Sequence, residues 1–235
     1  MRIRIRQPLI PGGISGTTLK LIAMAAMLID HIAASLLTSS SFYWQMRTIG
    51  RISFPIYCFL IAEGMFHTRD IERYFLRLSV FALISEIPFD LAFHGTWYYP
   101  ASQNVFFTLA LAVLLEVIHR RLKERGYGQL AVLFGAGLLV LAEVLSTDYG
   151  AQGLILIWLF YYLREWDRPG RRIRFLTVFL VMCLMWWGSI QLWALLGLAL
   201  TVEYNGQRGR QMPKMLFYAF YPVHLLVLWG IGLLI

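Results

Sequence analysis

Residues 175–202 read FLTVFLVMCLMWWGSIQLWALLGLALTV and contain no charged side chain. A helix that crosses the hydrocarbon core of a bilayer needs about 20 apolar residues, within a range of roughly 17–25. This run of 28 residues is therefore either one long tilted helix or two short helices joined by a turn. In both cases the stretch predicts a helical membrane protein.

The whole chain has the same apolar character as this stretch. Of its 235 residues, 59% are hydrophobic and 14% are charged, and its mean hydropathy is +0.63. Soluble globular proteins carry about 25% charged residues, so composition excludes a water-exposed domain. We predict an all-α, polytopic transmembrane bundle that forms a single domain over residues 1–235. The nine predicted spans are 18–37, 49–67, 74–93, 104–119, 129–145, 150–163, 173–187, 189–203 and 214–235.

The basic residues predict the orientation, because the cytoplasmic flanks of membrane helices collect Lys and Arg. With the N-terminus in the cytoplasm, 19 of the 21 Lys and Arg residues fall on the inner side, and only Arg47 and Arg51 fall outside. This predicts an N-in, C-out topology with a turn near Gly188 and Ser189. The net charge of +8 then reflects topology and does not indicate nucleic-acid binding.

Ionisable side chains inside the predicted spans are the unusual feature, because each costs at least about 2.5 kcal/mol at a helix centre. Such side chains are candidates for function. His224 is predicted near mid-membrane, and the others are predicted toward the outer side. Those outer residues are Asp30, His31, Glu86, Asp90 and Glu143.

Asp30 shares a stripe of the first span with small residues, so it is predicted to face a partner helix. His31 points about 100° away from Asp30 around the helix, and the two are not predicted to pair directly. Each has two interpretations. Asp30 either locks a helix interface through Arg51 or supports a functional site, and His31 is either a core imidazole or a catalytic base.

Glu86 and Asp90 are four residues apart and are predicted to share one face of the third span. Two carboxylates this close raise each other's pKa unless a cation intervenes. Arg47 and Arg51 are the only cations predicted at that depth. The sequence leaves open an ion network between the second and third spans, or a carboxylate that orients a catalytic histidine or relays its protons.

The ninth predicted span contains Pro222, which removes a backbone donor and predicts a kink. Tyr221 and His224 share a face beside it. The kink is compatible with a cavity wall or with packing around a core histidine.

Arg69, Arg73 and Arg77 are spaced at i, i+4 and i+8 and are predicted to form one basic stripe at the cytoplasmic start of the third span. Arginine binds phosphate through its fork of donors, and snorkelling anchors show the same spacing. The sequence contains no P-loop, GxGxxG, GxSxG or HExxH motif. No Cys or His spacing predicts a metal site.

Several stretches resemble one family, the TraX-type membrane proteins associated with pilin N-acetylation. They include LKLIAMAAMLIDHIAASLL (19–37), NVFFTLALAVL (104–114), DYGAQGLILI (148–157) and NGQRGRQMPKMLFYAFYPVHLLVL (205–228), together with most of residues 47–93. The resemblance depends on a set of motifs in a fixed order. The motifs are Asp30-His31, Arg47-x3-Arg51-x3-Pro55, Glu63-Gly64, Ser85-Glu86-x-Pro88 and Tyr221-Pro222-x-His224.

The resemblance implies an integral-membrane acyltransferase of the bacterial cytoplasmic (inner) membrane, surrounded by membrane lipid. It implies transfer of an acetyl group from acetyl-CoA to the N-terminal α-amine of a conjugative pilin subunit. Alternatives remain: an acetyltransferase acting on a carbohydrate, a transporter or proton-coupled carrier, and a non-catalytic partner in pilus assembly. The sequence shows no inverted repeat that would favour a transporter.

For an acetyltransferase, the predicted base is His31, oriented by Glu86 or Asp90, while Arg47 and Arg51 keep the acids ionised. Histidine has an unperturbed pKa of about 6.5, which suits both deprotonation of an amine and protonation of a leaving thiolate. The alternatives are His224, which lies beside the Pro222 kink and either binds substrate or carries the acyl group with Tyr221 as a supporting residue, and direct transfer without either histidine.

Binding roles follow from charge. Arg69, Arg73 and Arg77 are predicted to contact the phosphates of acetyl-CoA from the cytoplasm, and no metal is predicted. Glu143, Asp148 and Asn104 are predicted to receive a cationic acceptor amine from the outer side or from the bilayer.

Overall fold

The computed structural model of the chain describes residues 12–164 and 168–235. These residues form ten α-helices and one short 3-10 helix, and within them no strand is present beyond two isolated bridges. The predicted all-α class is confirmed. The α-helices are α1 (Gly16–Leu36), α2 (Tyr43–Gly50), α3 (Ser53–His67), α4 (Ile71–His94), α5 (Val105–Glu124), α6 (Leu130–Val144), α7 (Gly150–Tyr162), α8 (Arg168–Trp186), α9 (Leu195–Val202) and α10 (Lys214–Gly232); the 3-10 helix is Ile190–Ala194.

Three helical segments are long and apolar enough to cross a membrane, namely Gly16–Leu36, Tyr43–His67 and Lys214–Gly232. Four further apolar segments have 10–17 residues: Leu130–Val144, Gly150–Tyr162, Ile173–Trp186 and Ile190–Val202. Helices α4 and α5 have 24 and 20 residues. Each of the nine predicted spans therefore contains a helix, while the number that cross the membrane and their orientation stay predictions.

The uncharged stretch 175–202 is broken where the sequence predicts a turn. Helix α8 ends at Trp186, and Gly188 adopts a φ of +75°, a left-handed conformation that glycine tolerates. Ser189 then caps the 3-10 helix by accepting the backbone N–H of Gln191 at 3.2 Å. Since α8 packs against the 3-10 helix and α9, the chain reverses here.

By their internal contacts, the helices fall into two compact units. The first unit contains the described residues of Met1–Leu60 and Trp166–Phe217, and the second contains those of Ile61–Glu165 and Tyr218–Ile235. Helices α3 and α10 contribute residues to both units.

In the first unit, α1 packs against α2, and α8 packs against α9. The core includes aromatic contacts between Phe54 and Trp186 and between Phe59 and Tyr204, with ring centroids 6.5 Å and 5.1 Å apart. Gly197 brings α9 against the start of α3, because a Cβ at this position would overlap the carbonyl oxygen of Ile52.

In the second unit, α4 packs along α5, and α5 also contacts α6 and α7. Trp158 of α7 donates its indole N–H to the carbonyl of Ala112 on α5 at 3.2 Å. Helix α6 exposes an apolar face that includes Val132, Leu133 and Val144. An exposed stripe of this kind is typical of a helix that faces lipid.

Gly197→Ala is expected to lower the free energy of unfolding by about 1–3 kcal/mol, because the added methyl group overpacks a tight helix contact. Gly137→Ala is the matched control, because nothing lies within 4 Å of a Cβ at Gly137 in α6. In a helix that substitution is expected to be neutral or to stabilise by about 0.5–1 kcal/mol. Unfolding of both variants in detergent micelles measures the difference, and equal stabilities would contradict the packing at Gly197.

Candidate functional site

The first unit contains a buried arginine–carboxylate group, which we call the Asp30 cluster (Asp30, Arg47 and Arg51). Asp30 is 6% exposed, and its two oxygens accept hydrogen bonds from Arg51 Nη2 at 2.5 Å and from Arg47 Nη1 at 2.8 Å. Arg47 lies in the last turn of α2, and Arg51 follows that helix. Their spacing of four residues lets both guanidinium groups reach one carboxylate of α1.

Gly50 makes the close approach of α2 to α1 possible. A Cβ at Gly50 would overlap the side chain of Asp30. Arg47, Gly50 and Arg51 therefore surround Asp30 along one turn of chain. These contacts support the structural interpretation of Asp30, in which its carboxylate pairs with two arginines and fixes the contact between α1 and α2.

His31 follows Asp30 on α1 and is half-buried. Its backbone carbonyl accepts a hydrogen bond from the Ser35 hydroxyl at 2.7 Å. The role of His31 as a catalytic base stays a prediction.

The second unit contains a larger polar group, which we call the His224 cluster (Glu86, Asn104, Asp148, Tyr221 and His224). Asn104 is its structural centre and is fully buried. Its side-chain amide donates to the Glu86 carboxylate and to the carbonyl of Ala82 at 2.8 Å. Its side-chain oxygen accepts the N–H of Phe106 at 3.0 Å and so caps α5. Asn104 thus fixes the position of Glu86, a pairing that the sequence does not predict.

Tyr221 connects the other members of the His224 cluster. It is 3% exposed, and its hydroxyl forms a hydrogen bond with the backbone of Val105 in the first turn of α5. Glu86 and Asp148 lie close enough to act electrostatically on it. The Tyr221 ring meets the His224 ring edge to face, with centroids 5.7 Å apart.

His224 is 6% exposed, and its Nδ1 lies 2.7 Å from the carbonyl oxygen of Phe220. Because a carbonyl oxygen only accepts hydrogen bonds, Nδ1 carries the proton. In the neutral imidazole the lone pair is then on Nε2, the atom that can act as a base. The ring also stacks on that of Phe220 at 4.7 Å, which restrains its orientation.

Asp90, predicted to act with Glu86, binds the loop that follows α4. It is 1% exposed, and its Oδ2 accepts the backbone N–H of Tyr99 at 2.7 Å. Its Oδ1 is buried without a hydrogen-bond partner among the described residues. The ring of Tyr99 stacks on His94, with centroids 3.9 Å apart.

Glu143 and Asp148 lie on either side of the turn between α6 and α7. Glu143 accepts the N–H of Ala151 at 2.7 Å, so its carboxylate caps the start of α7. A Cβ at Gly150 would contact this carboxylate, so the turn needs glycine there. Asp148 is exposed beside it. Their predicted role in binding an acceptor amine stays a prediction.

The predicted basic stripe is wrong for Arg69. Helix α4 begins at Ile71, and Asp70 caps it by accepting the N–H of Arg73 at 2.9 Å, so Arg69 precedes the helix. Arg73 also pairs with Asp70 at 2.9 Å. Arg77 lies over the Tyr74 ring, 5.6 Å from its centroid, and its Nε is buried without a hydrogen-bond partner in the described part of the chain.

Two further buried carboxylates pair with arginines in the second unit. Glu63 binds Arg164 through both of its oxygens, at 2.5 Å and 3.2 Å. Glu116 accepts from Arg120 at 2.8 Å and from the Tyr161 hydroxyl at 2.7 Å. An acid in an apolar segment was the signal for both sites. Arg120 follows Glu116 at the i+4 position of the same helix, whereas Arg164 is 101 residues from Glu63 and could not be paired with it from the sequence. Within residues 12–164 and 168–235, no group of three or more His, Cys, Asp or Glu could hold a metal ion.

The fold and these sites define an all-helical protein with membrane-length apolar helices and buried ionisable side chains. The family model described as TraX protein matches residues 15–232, which is nearly the whole chain, and this chain belongs to that family. It is also similar to the probable fimbrial assembly protein FimC, serogroup H1, of Dichelobacter nodosus. The two are 29% identical over 239 residues, covering 91% of this chain and 94% of the relative. No solved structure matches.

Asp30→Ala is expected to lower the free energy of unfolding by about 3–5 kcal/mol, because it leaves two guanidinium groups without their buried carboxylate. The matched control is Glu72→Ala, which removes an exposed pair with Arg121. Such surface pairs contribute about 0–1 kcal/mol. Thermal unfolding in detergent measures both, and an Asp30→Ala protein as stable as the control would contradict the structural role of Asp30.

Proposed function

We propose that this protein is an integral-membrane acyltransferase that transfers an acetyl group from acetyl-CoA to the amine of a pilin subunit. The observation that carries the proposal is the His224 cluster, in which a buried histidine of defined tautomer meets the ring of the buried Tyr221, and Glu86 and Asp148 act electrostatically on that tyrosine. Membership of the TraX family supports it. The name of the relative, a fimbrial assembly protein, supports pilin as the acceptor.

The proposed reaction needs one base and one acid, and a single histidine supplies both. The acceptor ammonium first loses one proton to solvent, the neutral nitrogen attacks the thioester carbonyl, and Nε2 of His224 takes the second proton from the attacking nitrogen. A C–N bond forms and the C–S bond breaks. The CoA thiolate leaves and takes the proton back from the imidazolium, so the histidine returns to its starting state.

The neighbours of His224 suit this chemistry. Glu86, held by Asn104, and Asp148 place negative charge near Tyr221, where a cationic amine is attracted before it is deprotonated. The Tyr221 hydroxyl provides a donor for the oxygen that becomes negative when the thioester is attacked.

His31 is the second candidate base. Its expected carboxylate partners, Glu86 and Asp90, bind Asn104 and the backbone of Tyr99. The two arginines expected to keep those acids ionised both bind Asp30. The described contacts therefore support His224 more strongly than His31.

We place the protein in the bacterial cytoplasmic membrane, with about nine spans, the N-terminus inside and the C-terminus outside. In this orientation acetyl-CoA binds from the cytoplasm, where Arg69, Arg73 and Arg77 are candidate phosphate contacts. The acceptor enters from the outer side or from the bilayer, near Asn104, Glu143 and Asp148.

Cysteine accessibility in intact cells tests the orientation. In a background with Cys58 and Cys183 replaced by alanine, Thr96→Cys is expected to react with a membrane-impermeant maleimide, because residue 96 lies in an outer loop. Arg210→Cys is expected to react with the maleimide only after the membrane is permeabilised. Labelling of Arg210→Cys in sealed cells would contradict the N-in, C-out topology.

His224→Ala is expected to lower the turnover of acetyl transfer by about 10²–10⁴-fold, because general acid–base catalysis contributes that much. The assay uses labelled acetyl-CoA and a peptide with a free α-amine. Its control is CoA binding, which this variant is expected to keep. The matched variant His31→Ala is expected to retain most of the turnover. If His31→Ala alone abolishes transfer while His224→Ala does not, His31 is the base and the assignment to His224 is wrong.

A further inference from the structure

The first unit holds a group of three cations, which we call the Lys20 cluster (Lys20, Arg208 and Lys214). Lys20 lies one turn into α1, Lys214 begins α10, and Arg208 lies in the loop between α9 and α10. Arg208 and Lys214 lie close enough to Lys20 to repel its charge. Lys20 Nζ also lies over the ring of Phe217 on α10, 4.9 Å from its centroid.

The loop that carries Arg208 is fixed to the start of α1 by backbone hydrogen bonds. The amides of Gly16 and Thr17 donate to the carbonyls of Gln207 and Arg208, each at 2.9 Å. The Thr17 hydroxyl lies 2.8 Å from the carbonyl oxygens of both Arg208 and Arg210. The like charges of the Lys20 cluster are therefore held together by the fold.

A second set of backbone contacts fixes the start of the same loop. The N–H of Ile14 donates to the backbone carbonyl of Glu203 at 2.7 Å, and the N–H of Asn205 donates to the backbone carbonyl of Ile14 at 2.9 Å. Gly209 has a φ of +77°, and its Cα approaches Ser15 so closely that a side chain at this position would overlap the serine. The path of the loop thus depends on glycine at this position.

The Lys20 cluster brings three cations together without a carboxylate partner among the described residues. Arginines elsewhere pair with acids, namely Arg47, Arg51, Arg73, Arg120, Arg121 and Arg164. None of the ion pairs formed by the described residues involves Lys20, Arg208 or Lys214. An external anion would relieve the mutual repulsion of cations that the fold holds together without an acid.

We propose that the Lys20 cluster binds a phosphate group at the cytoplasmic end of the first unit. Lysine and arginine together suit a phosphate, since the ammonium acts as a point charge and the guanidinium as a fork of donors. Backbone N–H groups at the start of α1 do not contribute, because Gly16 and Thr17 already donate to the loop. The phosphate belongs either to CoA, in which case the site rests on the proposed function, or to an anionic lipid.

The test uses the full chain and two matched double variants. Arg208→Gln/Lys214→Gln removes two exposed cations of the cluster, and Lys123→Gln/Arg125→Gln removes two exposed cations outside it. Lys20→Gln is a third variant that tests the half-buried member. Circular dichroism and size-exclusion chromatography establish that each variant is folded.

The first measurement is calorimetric titration of desulfo-CoA into protein in neutral detergent. Arg208→Gln/Lys214→Gln removes two cations and the charge-assisted hydrogen bonds that they donate to the phosphate. The affinity of this variant for desulfo-CoA is therefore expected to be weaker by about 10- to 100-fold. The affinity of Lys123→Gln/Arg125→Gln is expected to stay at the wild-type value. This result supports the site with CoA as the source of the phosphate.

The second measurement compares unfolding temperature in nanodiscs of phosphatidylcholine with and without phosphatidylglycerol. Loss of the phosphatidylglycerol effect in Arg208→Gln/Lys214→Gln, with wild-type CoA affinity, supports the site with lipid as the source. If folded cluster variants keep wild-type responses in both measurements, the proposal is overturned. If the wild-type chain binds no CoA, the proposed acetyl transfer fails, and the lipid measurement alone decides the phosphate site.

Discussion

The pairing of Asp30 with Arg47 and Arg51 shows the constraint on which the rest of this fold depends. A charge in an apolar helix bundle costs several kcal/mol unless an opposite charge and hydrogen bonds compensate it. The same solution recurs where Glu63 binds Arg164 and where Glu116 binds Arg120. Glu63 and Arg164 are 101 residues apart in sequence, so this ion pair joins α3 to the end of α7.

Two groups of polar side chains are organised in other ways, and both carry proposals. In the His224 cluster, the Glu86 carboxylate is held by the neutral amide of Asn104, and Glu86 and Asp148 both act electrostatically on Tyr221. In the Lys20 cluster, positive charge is held together by backbone hydrogen bonds. The carboxylates of the His224 cluster suit a cationic amine, and the cations of the Lys20 cluster suit a phosphate. These are the two charged partners that acetyl transfer from CoA to an amine requires.

The sequence predicted the helical class, the location of most helices and the break near Gly188, because apolar periodicity and turn residues are local signals. It did not predict that Asn104 holds Glu86 or that Arg208 lies beside Lys20, because these depend on contacts between distant segments. Arg69 was misplaced because the i, i+4 spacing ignored the capping aspartate. Among the candidate residues, sequence reasoning identified Glu86, Asn104, Asp148, Tyr221 and His224 separately, and the structure shows how they are connected.

Mass spectrometry of a single reaction tests the central claim most directly. Purified protein in nanodiscs is mixed with acetyl-CoA carrying an isotopically labelled acetyl group and with a pilin peptide whose α-amine is free. The account predicts that the peptide gains one labelled acetyl group for each molecule of CoA released, and that a peptide with a blocked α-amine gains none. Unmodified free-amine peptide after incubation with protein that binds acetyl-CoA would contradict it.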